Sequence, residues 1–299
     1  QKFGHFSIFI TWVLWKRLLY PASHPLFRRL HKISSNNGDV GIYASWLFRL
    51  LLIACPVACC GLWLLLIQFK APIVVPLFIA IVFLSSNVYV SLWIIEISVT
   101  IAREHEKGTY DQLCVAPAGV LGVNQVICAA SLHRNDGLTW INVIRKLVAG
   151  LSLFIFLMIL MASAFSQGVF NIVQLLRPLL EVTMLVAATY IDHIQAVVMG
   201  CLVAMFVPAY SQGSRAVPIM AVAVFLTLQA IIFPVSIFLV ASLLTLRQEL
   251  PASSWGIEIL LPVLSLLLFY LIRETFNVIL WRKLTYQLNV SPLELSVPS

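Results

Sequence analysis

The sequence predicts an all-α polytopic membrane protein with six transmembrane helices, an interfacial N-terminal helix and a cytoplasmic helix between spans two and three. Hydrophobic residues make up 61% of the 299-residue chain and charged residues only 10%, whereas soluble domains contain roughly 45–50% apolar residues. Several apolar runs reach the ~18 residues that indicate a spanning helix. These runs are apolar on every side, whereas helices on the surface of a soluble core have one polar face.

The predicted elements follow in order from the N-terminus. Residues 6–20 mix aromatic and aliphatic residues with Lys16 and Arg17. This pattern predicts an amphipathic helix in the membrane interface, with a short buried helix as the alternative. Pro234 predicts a kink in the fifth span. The six predicted spans cover residues 46–69, 73–95, 147–165, 194–210, 219–244 and 255–272.

Residues 169–190 are apolar but contain Arg177 and Glu181. We expect an interfacial or re-entrant helix here, because a seventh span would place the basic C-terminal residues outside the cell. Asp192 and His193 follow, and we interpret them as a water-facing break before span four. A metal or proton-relay site at this pair is disfavoured, since adjacent residues point to different helix faces and no third ligand is near in sequence.

The basic residues lie at the predicted membrane edges. The net charge is +7, but these residues form no single stripe, which argues against nucleic-acid binding. With six spans, sixteen of the nineteen lysines and arginines fall on the side that holds both termini. The positive-inside rule therefore predicts a multi-pass protein of the cell (plasma) membrane with cytoplasmic termini. The predicted domains are an N-terminal segment (1–45), a transmembrane domain (46–285) and a C-terminal tail (286–299).

A dense charged segment follows span two. Five of the eleven residues in 103–113 are charged, and such a cluster must face water or a partner. Thr109, with Gln112 three residues later, predicts a capping box that starts a short helix. Gly108 permits a sharp entry, and Pro117 stops or kinks the helix. On local chemistry alone, a solvated loop with a well-capped helix explains the same pattern.

This segment resembles part of a known protein family in its residues and in its place in the chain. The pattern Glu-x-Glu-x-Gly-Thr-x-Asp/Glu-x-Leu…Pro, directly after the second of six spans, resembles the permease subunits of type 2 ABC (ATP-binding-cassette, ABC-2-like) exporters. The matching residues are Glu104, Glu106, Gly108, Thr109, Asp111, Leu113 and Pro117. The resemblance covers roughly 46–285 and implies a coupling region at 101–119. In the family, a coupling helix there inserts into a cleft on a separate ATPase subunit.

The resemblance implies a transmembrane permease subunit that couples ATP hydrolysis by a partner ATPase to substrate translocation. It implies no catalytic residues, cofactor or metal in this chain, so we do not expect an enzyme. The implied partners are a cytoplasmic ABC ATPase, a second permease subunit in a homodimer or heterodimer, and the lipid bilayer. The sequence also lacks a Gly-x-x-x-x-Gly-Lys-Ser/Thr phosphate loop. Two features depart from the family: residues 166–193 exceed a simple outer loop, and the second half carries no anchoring motif.

Polar residues within spans two and five form a candidate translocation path. Asn87 and Ser91 share a face of span two at i,i+4 spacing, and Gln229 and Ser236 lie in span five. Hydrogen bonding between helices explains such residues without transport. The resembled family builds its path largely from spans two and five, so the resemblance implies that these four residues line it.

Two other functions remain open at this point. A non-transporting accessory or scaffold subunit of a larger membrane complex would fit the same composition, although an intact capping box and acidic pair favour transport. A membrane enzyme would need an interfacial cluster of His, Asp or Cys, and the six histidines are scattered. The six cysteines lack zinc spacing, which indicates small core residues. The substrate is not predicted.

Overall fold

The computed structural model describes residues 10–19, 74–115, 119–134, 172–210, 216–249 and 255–289. The regular structure in these ranges is helical and includes no strand. Three of the described helices hold segments long and apolar enough to cross a membrane, namely Ala187–Ala209, Val217–Ser236 and Leu260–Gln287. This finding supports the predicted class of helical membrane protein. The count of six stays a prediction, because the predicted spans at 46–69 and 147–165 lie outside the described residues.

Four of the described helices are long. The helices are α1 (Ile10–Leu19), α2 (Val74–Glu106), α3 (Tyr110–Cys114), α4 (Gly119–Arg134), α5 (Ile172–Phe206), α6 (Val217–Glu249) and α7 (Trp255–Gln287), with a 3-10 turn at Val207–Ala209. The four long helices α2, α5, α6 and α7 have 33 to 35 residues each. At 1.5 Å per residue each is about 50 Å long, which exceeds the ~30 Å hydrocarbon core of a bilayer.

Side-chain contacts establish the direction of these helices. Ser86 of α2 hydrogen bonds with His193 of α5, and further along both helices Gly200 of α5 approaches Ile94 of α2. Helices α2 and α5 are therefore parallel. Helix α7 runs the same way, because its last residue, Gln287, accepts a hydrogen bond from Tyr210 just after α5. Even-numbered spans cross a membrane in the same direction, so the parallel direction of α2, α5 and α7 agrees with their predicted places as spans two, four and six.

Helix α5 is the central element of the described bundle. Its apolar segment is 83% buried, compared with 28% for the segment in α6 and 22% for that in α7. Gly200 lets α2 approach closely, because a Cβ at this position would lie only 2.5 Å from Cγ1 of Val90. A residue without a side chain permits such close packing of helices. The pair α2–α5 thus forms a tightly packed unit.

The continuity of α5 corrects one prediction. The sequence predicts a separate helix at 169–190 and a water-facing break at Asp192 and His193, but α5 runs unbroken through both residues. Their side chains are buried, with exposures of 1% and 6%. The prediction was wrong because each polar side chain has a partner on a neighbouring helix, so neither needs water.

Helix α7 also extends beyond its predicted limit. Span six was expected to end at Ile272, before a basic cytoplasmic end with Arg273, Arg282 and Lys283. Instead the helix continues to Gln287, and Arg273 is fully buried, whereas Arg282 and Lys283 are exposed. The prediction for Arg273 was wrong because this charge is compensated inside the bundle.

Helix α1 has one exposed and one buried side, while its predicted place in the membrane interface stays a prediction. Trp12, Val13 and Lys16 are exposed on one side. The buried residues are Ile10, Thr11, Leu14, Trp15 and Leu18. Its first turn packs against α7, where the Thr11 side chain is fully buried. The N-terminal end of α1 is therefore attached to the helix bundle.

Candidate functional site

A charged turn connects α2 to α4, and we call residues 103–115 the elbow. Helix α2 ends at Glu106, and the five-residue helix α3 begins at Tyr110. Gly108 between them has φ +65°, a left-handed conformation that glycine adopts without strain. Nothing lies within 4 Å of where its Cβ would be. The glycine is therefore needed for the backbone conformation of this turn.

The predicted capping box is absent. Thr109 occupies the N-cap position of α3, but its backbone is in the right-handed helical region and its side chain makes no capping hydrogen bond. Its hydroxyl donates instead to Oε2 of Glu104 over 2.6 Å. A capping side chain requires extended backbone at the N-cap residue, which Thr109 does not have. The Thr109–Glu104 bond therefore ties α3 back to the end of α2.

The remaining residues that match the family pattern divide between two faces. Glu106, Gly108 and Asp111 are exposed, while Leu113 is partly buried against the hydrophobic core. Glu104 is also partly buried, with Lys107 at 3.7 Å from its carboxylate. Pro117 lies outside the described residues. Glu106 and Asp111 are thus the acidic residues that a docking partner can reach.

The inner face of the elbow is fixed by aromatic residues. The buried Tyr110 hydroxyl donates to Oδ1 of Asn124 in α4 over 3.1 Å, and the His105 ring stacks on Tyr110 with 3.7 Å between centroids. Burial raises the pKa of the Tyr110 phenol. Burial also lowers the pKa of His105, although the charge of Asp111 opposes this shift. The elbow therefore has a packed inner face and a charged outer face.

A second polar site lies inside the bundle, and its most buried member is Arg273. Its guanidinium forms an ion pair with the Asp192 carboxylate and donates to the Asp192 carbonyl oxygen over 3.0 Å. It also donates to Oε1 of Gln229 over 2.7 Å. The rings of Phe233 and Phe269 lie 5.0 and 5.4 Å from it. Arg273 thus joins α5, α6 and α7 at one point.

This point is deep within the long helices. Asp192 is 14 residues from the end of α5, Gln229 is 12 from the start of α6, and Arg273 is 14 from the end of α7. These distances correspond to about 18–21 Å along each helix. Charged residues at such depth in apolar helices indicate a functional site by default.

Glu274 extends this site to the N-terminal helix. Its carboxylate accepts hydrogen bonds from the backbone N–H of Thr11 over 3.0 Å and from the Thr11 hydroxyl. Asn277 donates to the same hydroxyl over 3.0 Å, and Gln195 donates to Glu274 over 3.5 Å. The first N–H groups of a helix lack intrahelical partners. Glu274 therefore supplies the partner that α1 needs at its N-terminal end.

The third part of the site connects α5 with α2. His193 hydrogen bonds with Ser86 over 2.9 Å, and the edge of Trp93 faces its ring at 6.4 Å. We use the name polar core for these residues together. Its bonded members are Thr11, Ser86, Asp192, His193, Gln195, Gln229, Arg273, Glu274 and Asn277. We include the buried Asn87 and Ser236, which lie on the same helices as Ser86 and Gln229.

The residues of the candidate translocation path have different environments. Gln229 binds Arg273, and Asn87 and Ser236 are buried. Ser91 is half-buried and its hydroxyl donates to the Asn87 carbonyl oxygen of its own helix. Within the described ranges, no hydrogen bond joins the pair in α2 to the pair in α6. The structure therefore brings Gln229 into a bonded cluster that the sequence did not predict.

Several buried polar atoms of the polar core have no hydrogen-bond partner among the described residues. These atoms are Oδ1 of Asn87, Nε2 of His193, Oε1 of Gln195, Oγ of Ser236, Nε of Arg273 and Oδ1 of Asn277. An unpaired buried polar group costs about 1–3 kcal/mol. These atoms are therefore places where water or a ligand group could form a hydrogen bond.

Sequence reasoning missed most of this site. It assigned Arg273 to the cytoplasm and Asp192 to water, and it did not single out Thr11, Gln195 or Glu274. One signal was available, since the apolar pattern continues after Arg273 and Glu274 through residues 276–281. Charged residues inside such a run are expected to pair within the protein.

Two further observations limit the chemistry of the described residues. No group of three or more His, Cys, Asp or Glu residues in the described ranges could hold a metal ion. Cys128 and Cys201 are free and buried in the hydrophobic core, as predicted for small core residues.

No protein-family model, curated protein or solved structure matches this chain.

Proposed function

We propose that this chain is the transmembrane permease subunit of an ATP-driven ABC exporter. The elbow is the proposed docking site for a cytoplasmic ABC ATPase, and a second permease subunit completes the transporter. One observation carries the proposal: the elbow exposes a compact set of charges on a rigidly held turn. The exposed polar residues of the outer face are Arg103, Glu106, Lys107, Asp111 and Gln112.

The elbow is well placed to transmit force. Helix α2 continues without a break from the elbow into the bundle, where it packs closely on α5 at Gly200. On its other side, Tyr110 joins the elbow to α4. A displacement of the elbow by a partner would therefore move α2 and α5 as one unit. Rigid-body motion of this kind is a common basis of switching between two states.

A scaffold subunit of a larger membrane complex is the second candidate. The closed polar core favours it, because Gln229 of the candidate path is bonded to a fully buried arginine. A scaffold would not need an ATPase docked at the elbow. The two functions therefore differ in what binds the elbow.

The test is co-purification of the full chain in a gentle detergent, with mass spectrometry of the bound proteins. We expect an ABC ATPase in the native complex. Glu106→Lys and Asp111→Lys, which alter only exposed elbow charges, should each reduce its recovery at least about tenfold, equivalent to roughly 1.4 kcal/mol of binding energy. Arg282→Glu, an exposed charge change on α7, should leave recovery unchanged. A stable complex that contains no ATPase would support the scaffold and refute the permease proposal.

A further inference from the structure

The ion pair of Arg273 and Asp192 is not explained by stability alone. A buried ion pair can often be replaced by apolar residues of similar volume without loss of stability, because removing two charges from water is costly. The surroundings here are already apolar, with the Phe233 and Phe269 rings against the guanidinium. A charged pair differs from an apolar contact in one respect: it regains hydration when its members separate.

The buried polar atoms without hydrogen-bond partners also favour a hydrated state of the polar core. Arg273 Nε, Gln195 Oε1, Ser236 Oγ and Asn87 Oδ1 belong to four different helices and lack hydrogen bonds within the described part of the chain. Each would gain a hydrogen bond if water entered. The closed state therefore forgoes interactions that a hydrated state would make. This brings the two states closer in free energy.

The packing of α5 differs from that of α6 and α7. The apolar segment of α5 is 83% buried, compared with 28% for that of α6 and 22% for that of α7. A shift of α6 and α7 relative to α5 must break the bonds of Arg273 to Asp192 and of Gln195 to Glu274 and the Tyr270 carbonyl oxygen. It must also break the bonds of Tyr210 to Gln287 and of Gln229 to Met199.

We propose that the polar core is a conformational switch. In this structure Arg273, Asp192 and Gln229 hold α5, α6 and α7 together, and in a second state these helices separate and water fills the gap. The switch does not depend on a partner protein. Its role in transport rests on the proposed function, since the open gap would provide a route through the middle of the membrane.

The test uses the substitution Ser236→Cys as a reporter in the full chain, reconstituted in lipid nanodiscs. Ser236 is buried and its hydroxyl has no partner, so the change is conservative, and the new thiol reports water at a position about two helical turns from Gln229 on α6. A membrane-impermeant methanethiosulfonate reagent is added, and peptide mass spectrometry measures which cysteines react. The native Cys128 and Cys201 are buried in apolar packing and serve as internal controls.

Charge-neutral substitutions should open the switch. In the reporter chain, Arg273→Gln and Asp192→Asn should each raise the labelling rate at position 236 by about tenfold or more. Cys128 and Cys201 should stay unlabelled. Arg282→Gln, which removes an exposed charge on the same helix as Arg273, should leave the rate unchanged. Labelling that does not rise, or that rises equally at the two native cysteines, overturns the proposal.

An apolar pair should close the switch. The double substitution Asp192→Leu and Arg273→Met removes the benefit of hydration, so labelling at position 236 should fall below that of the parent while the midpoint of thermal unfolding rises by about 2–4 °C. Labelling at the parent rate in this variant also overturns the proposal. If the single variants do not fold, labelling of the double variant alone tests the proposal. Failure to recover an ATPase would refute the proposed function but would leave these labelling results intact.

Discussion

The backbone N–H of Thr11 donates a hydrogen bond to Oε1 of Glu274 over 3.0 Å, although 263 positions separate the two residues in the chain. This bond satisfies one of the N–H groups that the first turn of any helix leaves unpaired. It also attaches the amphipathic N-terminal helix to the last described helix at the depth of Arg273. The first and last described helices are thus joined inside the bundle.

Removing the Glu274 carboxylate should destabilise the fold. Glu274→Ala leaves the buried Thr11 N–H without its acceptor and removes one partner of Gln195. We expect a loss of about 2 kcal/mol or more in the free energy of unfolding. Circular dichroism during thermal unfolding of the full chain measures the change. Glu106→Ala, an exposed glutamate of the elbow, is the control and should change stability by no more than about 0.5 kcal/mol.

Gly200 should not tolerate a side chain. Gly200→Ala places a methyl group where it would meet Cγ1 of Val90 at 2.5 Å, so the Val90 side chain or the two helices must shift. We expect a destabilisation of about 1–3 kcal/mol. Combining it with Val90→Ala should recover part of this loss, because the space is restored. If the double variant is no more stable than Gly200→Ala alone, the Val90 contact is not the cause.

Tyr110 should control the rigidity of the elbow. Tyr110→Phe keeps the stacked ring but leaves Oδ1 of the buried Asn124 without its donor. We expect a cost of about 1–2 kcal/mol and faster amide hydrogen exchange in residues 103–115. Adding Asn124→Leu should restore part of the stability, since no buried acceptor then remains unpaired. Exchange that is unchanged in Tyr110→Phe would show that this bond does not fix the elbow.

The stability of the elbow should depend on pH through His105. Burial lowers the pKa of His105 below its usual 6.5, so the folded elbow favours the neutral ring. Stability is therefore unaffected by His105 well above pH 6.5 and falls as the pH drops through 6.5 toward the lowered pKa. Hydrogen exchange of the elbow at pH 7.5 and 5.5 measures this change, with His105→Gln as the control. An equal response to pH in that variant would assign the effect to other groups.

Much of the local structure follows from the sequence alone. The apolar runs identify a helical membrane protein, and the alternation of aromatic, aliphatic and basic residues in α1 predicts its amphipathic face. Gly108 and the charges around it predict an exposed turn after α2. These features depend on the chain within one helix or turn, where hydrophobic periodicity and backbone preference act directly.

Only the tertiary structure decided what the buried polar residues do. Arg273 lies next to a predicted membrane edge, so the sequence indicates a cytoplasmic anchor. Asp192 follows a segment predicted as a separate helix, so the sequence indicates a break between helices. Their pairing depends on α5 and α7 lying parallel with both residues at the same depth, which no local pattern encodes. The same reason explains Thr109, whose hydroxyl binds Glu104 because the turn at Gly108 brings α3 back to α2. Low dielectric inside the bundle makes such pairing necessary, and only the packed helices determine which partner is available.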